Sequence, residues 1–263
     1  MRPHRGSSHN DAADPARRSA GSVRADGVLW HDLECGAYVA DLPLWRELAA
    51  AHGGLVLDVG AGTGRVALDL ARRGFDVVAV DRDGPLLAAL AERAAAEGLA
   101  VETVCCDARE LALDRAFALV LVPMQTLQLL GGAKGRARFV ARAKGVLAPG
   151  GVLAAALADA LEAVDGDDGE PPLPDLRELD GTLFASRPVA VRDLGDRAVI
   201  ERIREVVHPD GQRDAEQNVV ELDHLDSARL SDELRAAGLA PLAPRRIPPT
   251  DDYIGSTVVI ARA

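Results

Sequence analysis

Aromatic residues are scarce at 3% of the 263 residues, so any core has to be built chiefly from Ala, Leu and Val. There are three cysteines, Cys35, Cys105 and Cys106, and none has CxxC spacing. That excludes a zinc ribbon and a disulfide framework, and it leaves no candidate metal site. Cys105 and Cys106 lie in an apolar run and are expected to be buried thiols. No apolar run approaches the roughly 20 residues of a membrane helix. A basic excess is also missing. The formal charge is -11, which argues against a nucleic-acid partner, because displacing counterions needs a basic face. Two of the 30 basic residues are lysines, Lys134 and Lys144, a bias read as GC-rich coding and not as function. The expectation is a cytoplasmic protein that engages neither membrane nor nucleic acid.

Hydrophobic residues make up 48% of the chain, enough for one α/β domain with an elaboration. Residues 1–27 are polar, without periodicity and without the apolar core of about 7 to 15 residues that a secretory signal carries. They read as a disordered tail. Residues 28–160 form a core that opens with a helical segment, and from residue 50 onward short apolar runs alternate with helical patterns, as βαβ units on a parallel sheet do. "LVLDV", "DVVAV", "VETVCC", "FALVLVP" and "GGVLAAAL" are the five successive strands. "DGDDGEPPLPD" then reads as an exposed loop. Within residues 161–225, "GTLFASRPVAVRDL", "RAVIERIREVVHP" and "NVVELDHL" alternate polar with apolar residues, as antiparallel strands do. Residues 226–263 supply a last helix and closing strands. The fold class is therefore α/β: a doubly wound, mostly parallel seven-stranded sheet with a small antiparallel β insert after the fifth strand. That insert is expected to act as an acceptor lid or as the contact of a homodimer.

The stretch "VLDVGAGTGR" ends a strand in Asp58 and places glycines at 60, 62 and 64. Gly62, Gly64 and Ala67 also fit the dinucleotide pattern GxGxxG/A. Counted from Gly60, however, the third glycine of that pattern would fall on Arg65. Three glycines in one turn cost conformational entropy, which suggests close approach of a ligand to the backbone. Two more acids end strands: Asp81 is placed to accept ribose hydroxyls, and Asp107 to accept an exocyclic amine. All lie where open α/β sheets bind ligands.

Together "VLDVGAGTGR", "VVAVDRD" and "CDAREL" resemble motifs I to III of the class I, Rossmann-like S-adenosylmethionine-dependent methyltransferases. The resemblance implies that cofactor, and places Gly60, Gly62, Thr63 and Gly64 at its methionine portion. It implies that Asp81 and Arg82 lie at the ribose, and Asp107 with Ala108 at the adenine. "VPMQTLQLL" resembles the fourth-strand motif, which sets Met124 and Gln125 beside cofactor and acceptor. "HDLECGAYVADLPLW" resembles the N-terminal helical segment of the small-molecule members, whose tyrosine, here Tyr38, reaches the cofactor carboxylate. The implied activity is methyl transfer to a small molecule, nitrogen or oxygen favoured, in specialised metabolism. An NAD-dependent oxidoreductase and a non-catalytic cofactor-binding regulator are the alternatives.

A sulfonium donor needs no activation, so positioning the acceptor is the main task, and orientation alone can supply about 7 to 11 kcal/mol. A base for the departing proton is harder to find. His31 with Glu34, near the expected cofactor mouth, are the catalytic candidates. His208 and His224 on the insert read as surface or strand-capping residues, and Tyr253 as packing. The stripe Glu201, Arg202, Arg204, Glu205 reads as the wet face of an edge sheet.

Overall fold

The computed structural model describes residues 27–158, 173–250 and 253–263. The tail up to residue 26, most of the "DGDDGEPPLPD" loop, and Asp251 with Asp252 lie outside the described residues. The first two helices are α1 (Gly27–Cys35) and α2 (Leu42–His52). Five strands and three helices follow: β1 (Val56–Val59), α3 (Arg65–Ala71), β2 (Val77–Asp81), α4 (Gly84–Ala96), β3 (Val101–Cys105), β4 (Phe117–Val122), α5 (Gly132–Val146) and β5 (Leu147–Ala158). A 3-10 turn at Ala108–Glu110 stands in place of a helix after β3, and another at Thr126–Leu129 precedes α5. Helix α4 begins where sequence chemistry dictates. Asp83 accepts the Leu86 amide and a proline occupies the first turn, so two of the otherwise orphaned N–H positions are dealt with.

The sheet order is β10-β12-β5-β4-β1-β2-β3, with β1 to β5 parallel and β12 (Ser256–Arg262) antiparallel to β5. The seven-strand path agrees with expectation. An eighth strand, the short β11 (Arg245–Ile247), pairs with β12 beside β10 (Ala240–Pro241). The order reverses between β1 and β4, and such a switch opens a crevice at the carboxyl ends of the strands.

Alternate strand residues feed two apolar layers. Leu57, Val78 and Val120 pack beneath Phe139 and Val140 of α5 and Leu230 of α6 (Ser227–Ala236). Val56, Ala79 and Leu119 pack against Trp45 of α2 and Leu70 and Leu90 of α3 and α4. Strand β3 is the exception. It closes the sheet edge, and there Cys105 is exposed and Cys106 half-buried. The expectation of two buried thiols is corrected, because an edge strand has a neighbour on one side only.

The insert is a separate antiparallel sheet, β6 (Asp175–Leu179), β7 (Thr182–Asp193), β8 (Arg197–Val207) and β9 (Arg213–Asp223), in that spatial order. Its first strand was not anticipated from the sequence, because it follows the proline-rich loop directly. The sheet rests on α1, where Trp30 meets Phe184 edge-on at 5.7 Å. Strand β8 lies between β7 and β9, so the reading of its charged stripe as an edge face is also corrected. Arg202 and Arg204 face α1 and are mostly buried, at 18% and 16% exposure. On the far side, Arg136 of α5 is buried between Asp223 of β9 and Glu233 of α6, at 2.8 and 2.7 Å. That buried ion pair ties the parallel core to the end of the insert.

Candidate active site

A cleft of about 380 Å³ opens at the carboxyl ends of β1, β2 and β4, within the size range of small-ligand sites. The glycine turn forms its rim. Gly60 and Ala61 donate their amides to the Val80 carbonyl, at 2.8 and 3.0 Å, and so bend the chain sharply out of β1. Both Gly60 and Gly62 have left-handed backbones. A β-carbon on Gly60 would stand 2.5 Å from the Thr126 methyl, and one on Gly62 would stand 2.3 Å from Nε2 of His31. These glycines thus make room for the protein's own side chains. Thr126 and His31 themselves line the cleft.

Asp58 sits at the cleft floor, 1% exposed, and neither carboxylate oxygen has a hydrogen-bond partner of ordinary geometry among the described residues. Burial pushes its pKa up to about 7, against the opposing pull of Arg65 and the Ala67 amide. An unpaired buried carboxylate is costly unless it meets a cation. The ammonium of S-adenosylmethionine, the cofactor that the resemblance implies, is a group of that kind, so the floor of the cleft fits it. Arg65 does not neutralise Asp58, because its guanidinium forks onto Asp41 and the Tyr38 carbonyl.

Asp81 ends β2 with its carboxylate turned back into the turn. One oxygen accepts the Gly62 amide at 2.8 Å and the other the Asp83 amide at 3.0 Å. Each oxygen retains a lone pair for a ligand hydroxyl. Asp107 is gripped by Arg109, whose side chain donates to both oxygens at 2.6 to 3.1 Å, and it caps the 3-10 turn by accepting the Arg109 amide at 2.8 Å. The Arg109 hydrogen bonds bring the Asp107 pKa down to about 2. Met124, after β4, has a left-handed backbone with φ 54°, which turns the Met124–Gln125 pair into the cleft lining. A non-glycine residue in that region is strained, as functional loops tolerate.

Residues 56–151 match a family model described as a methyltransferase domain. The matched segment runs from β1 into β5. Solved structures extend the likeness beyond the matched segment. The sugar N-methyltransferase KedS8 from Streptoalloteichus sp. ATCC 53650 superposes with a TM-score of 0.69 at 20% identity, covering 100% of this chain and 99% of that one. CalS10 from Micromonospora echinaspora, an amino pentose methyltransferase involved in calicheamicin biosynthesis and solved with bound S-adenosylmethionine, gives 0.66 at 23% identity over 97% and 100%. The CcbJ methyltransferase from Streptomyces caelestis gives 0.65 at 23% identity over 86% and 90%. These likenesses establish the class I methyltransferase fold. No protein of curated function matches the chain.

Of the residues expected at the site, the cleft is lined by His31, Gly60, Asp81, Arg82, Asp107, Ala108, Met124 and Gln125. Gly62, Thr63 and Gly64 stand behind the rim: Thr63 is 3% exposed and Gly64 starts α3. Tyr38 is absent from the lining. Its ring is buried against Tyr253, 4.9 Å between centroids, with the Arg65 guanidinium 5.1 Å above it. Glu34 is also outside. It faces the insert, accepting from Arg204 twice at 2.8 Å and from Ser186 at 2.7 Å. Burial opposes its charge, but those hydrogen bonds outweigh it and hold the carboxyl below the usual range. A carboxylate so engaged is a poor base, so the catalytic role expected for Glu34 is corrected to a structural one.

Sequence reasoning missed Arg65, Arg109, Cys35 and Thr126 in the lining. Thr126 had a signal, since a glycine at 60 demands some close neighbour. Arg109 had one too, two residues after an acid in a turn. Cys35 had none, because only the docking of α1 brings it to the cleft, where burial raises its thiol to about 11.

Proposed function

We propose that the protein transfers a methyl group from S-adenosylmethionine to a small-molecule acceptor, with nitrogen preferred over oxygen, in specialised metabolism. The observation that carries the reading is the unpartnered Asp58 carboxylate at the floor of a cleft that Asp81 and Asp107 also line. In this reading Asp58 takes the cofactor ammonium, Asp81 the ribose hydroxyls, and Asp107 with the Ala108 backbone the adenine, with Arg82 alongside. The Gly60 backbone borders the methionine portion, and Met124 and Gln125 border the reacting centre. When bound, the cofactor supplies a methyl group that is already electrophilic. The protein's share of the chemistry is to orient the acceptor, exclude water and take up a proton.

His31 is the proton acceptor in this reading. It lines the cleft, and burial lowers its pKa against the raising influence of Asp32, Asp81, Glu34 and Asp83. A neutral imidazole at working pH is the form a general base requires. KedS8 is a sugar N-methyltransferase and CalS10 an amino pentose methyltransferase, so amino sugars are the first acceptors to offer. The reading also places the protein in the cytoplasm, supported by three unpaired cysteines and by the lack, among described residues, of any helix long and apolar enough to cross a membrane. It includes no nucleic-acid partner, supported by the charge of -11. A homodimer through the outer face of the insert is supported by Leu176, Leu183 and Val219, which share that face at 57%, 36% and 50% exposure.

The test is to incubate the protein with methyl-labelled cofactor, a panel of amino sugars and fractionated host extract. The expected result is one labelled small molecule with stoichiometric S-adenosylhomocysteine. Cofactor binding with no S-adenosylhomocysteine from any pool would leave a regulator, not an enzyme.

A further inference from the structure

His31 touches more than the cleft, and its hydrogen bonds carry information about its proton. Nδ1 lies 3.3 Å from the Thr63 hydroxyl oxygen, while that hydroxyl lies 2.8 Å from Oδ1 of Asp32. Asp32 is held in turn by both terminal nitrogens of Arg93, at 3.0 Å to Oδ1 and 2.5 Å to Oδ2. Arg177 of β6 adds a longer contact at 3.9 Å. Burial disfavours the Asp32 charge, but hydrogen bonds from Arg93 and Thr63 outweigh it and hold the carboxyl below its usual range. An ionised carboxylate only accepts, and a threonine hydroxyl has one hydrogen to give. Thr63 is 3% exposed, so bulk water does not share the task.

Two acceptors, Asp32 and the Nδ1 lone pair, therefore compete for one hydroxyl hydrogen. A hydrogen bond to an ionised oxygen is roughly twice as strong as a neutral one, and the 2.8 Å contact is also the shorter. The hydrogen goes to Asp32. The Thr63 oxygen then has only lone pairs to turn toward His31, so the 3.3 Å contact forms only if Nδ1 carries the proton. A neutral imidazole protonated at Nδ1 has its free lone pair at Nε2. Nε2 has no hydrogen-bond partner among the described residues and lies over Gly62, in a ring that lines the cleft.

We propose that Asp32 and Thr63 are positioning residues that hold His31 as its Nδ1–H tautomer and aim the Nε2 lone pair into the cleft. This rests on the reading of His31 as the proton acceptor. The proton leaves the acceptor heteroatom for the Nε2 lone pair, and the heteroatom keeps the bonding pair. The imidazolium formed retains its Nδ1–H bond to Thr63, which Asp32 stabilises from behind. Residues in the glycine turn and α1 thereby serve the proton as well as the cofactor, and a glycine at 62 is what lets the ring lie there.

The tautomer is read directly by two-bond proton–nitrogen NMR on the full chain labelled with 15N-histidine. The measurement is made at about pH 8, above the ordinary histidine pKa of about 6.5, and His31→Gln identifies the signals. The wild type is expected to show a protonated Nδ1 and an unprotonated Nε2. Thr63→Ser keeps the hydroxyl and should preserve that pattern. Thr63→Val keeps the shape, removes the acceptor, and should move the unprotonated signal to Nδ1. Asp32→Ala removes the competing acceptor, which frees the hydroxyl hydrogen for Nδ1 and should invert the tautomer. Should that variant fail to fold without its Arg93 contact, the Thr63 pair decides alone. An Nε2–H wild type, or an Nδ1–H pattern that survives Thr63→Val, overturns the proposal. Failure of the functional reading looks different: the tautomer is as stated, but calorimetry detects no S-adenosylmethionine binding.

Discussion

The two walls of the cleft are assembled in different ways. On the wall formed by the parallel sheet, each functional group comes from a strand end and the turn that follows it. Asp81 reaches amides at positions 62 and 83, and Asp107 is gripped by a side chain two residues on. On the α1 wall, the groups that matter meet across long stretches of chain. Glu34 reaches Ser186 and Arg204 over separations of 152 and 170 residues, and Asp32 reaches Arg93 over 61. The first wall is built by local geometry on a rigid sheet. The second exists only once the insert and the N-terminal helix have docked through charge pairs and the Trp30–Phe184 contact. Damage to the second wall should therefore loosen the insert and His31 before it affects the strand-end acids.

The largest effect is expected where the core meets the insert. Arg136→Ala leaves Asp223 and Glu233 without their buried partner. Removing one member of a buried ion pair costs about 3 to 5 kcal/mol. Equilibrium urea unfolding should show a loss near the lower bound, because both carboxylates retain some exposure, at 19% and 23%. A loss under about 1 kcal/mol, the surface-pair range, would mean the network is ornamental.

Glu34→Gln comes next, at about 2 kcal/mol, because it strips charge from the hydrogen bonds to Arg204 and from the ion pair with Arg202, both mostly buried. The pH dependence has a definite sign. The folded pKa of Glu34 lies below its unfolded value. Its stabilisation is therefore full above the ordinary glutamate pKa of about 4.3 and fades as pH falls through the folded value. Hydrogen exchange in β7 and β8 should quicken with acid in the wild type. It should lose most of that dependence in Glu34→Gln, and identical profiles would contradict the role.

Gly62→Ala should cost about 1 kcal/mol or more, because alanine strains a left-handed backbone and its methyl would displace the His31 ring. The accompanying loss of the His31 NMR pattern separates it from a purely backbone effect. A variant as stable as the wild type with an undisturbed His31 would remove the steric argument for that glycine.

The smallest and subtlest effect concerns Asp58. Its folded pKa of about 7 lies above the ordinary value, so the free protein gains stability from a proton there at low pH. That gain is lost as pH rises through about 7. A ligand ammonium prefers the ionised carboxylate, so cofactor affinity should rise as pH passes through the same window. Asp58→Asn should flatten the profile, as calorimetric titrations at several pH values would show. A wild-type affinity independent of pH would place the ammonium elsewhere.

How much of this is legible in the sequence follows the same division. The parallel strands could be read as apolar runs because they are buried on both faces, and the acids at their ends could be read because strand ends are where such sheets bind. The half-buried insert strands were readable by alternation. Their partners were not, because alternation shows which residues share a face and is silent on what covers it. That is why Arg202 and Arg204 read as a wet face and Glu34 as a base. The glycine turn was legible as a site, but for an incomplete reason. Close approach is required at Gly60 and Gly62, and the approaching atoms include Thr126 and His31 of the protein itself. Tyr38 was placed by resemblance alone; Arg65 and Tyr253 enclose its ring, and its hydroxyl is buried without a hydrogen-bond partner of ordinary geometry among the described residues.

The central claim is that this cleft holds S-adenosylmethionine through Asp81 and its neighbours. Isothermal titration of the full chain with S-adenosylmethionine and with NAD, repeated on Asp81→Ala, tests it most directly. The account predicts binding of S-adenosylmethionine alone and at least about a fivefold loss in the variant, since unpaired ribose hydroxyls in the site cost about 1 to 3 kcal/mol. Tight NAD binding without S-adenosylmethionine binding, or an unchanged affinity in Asp81→Ala, would contradict it.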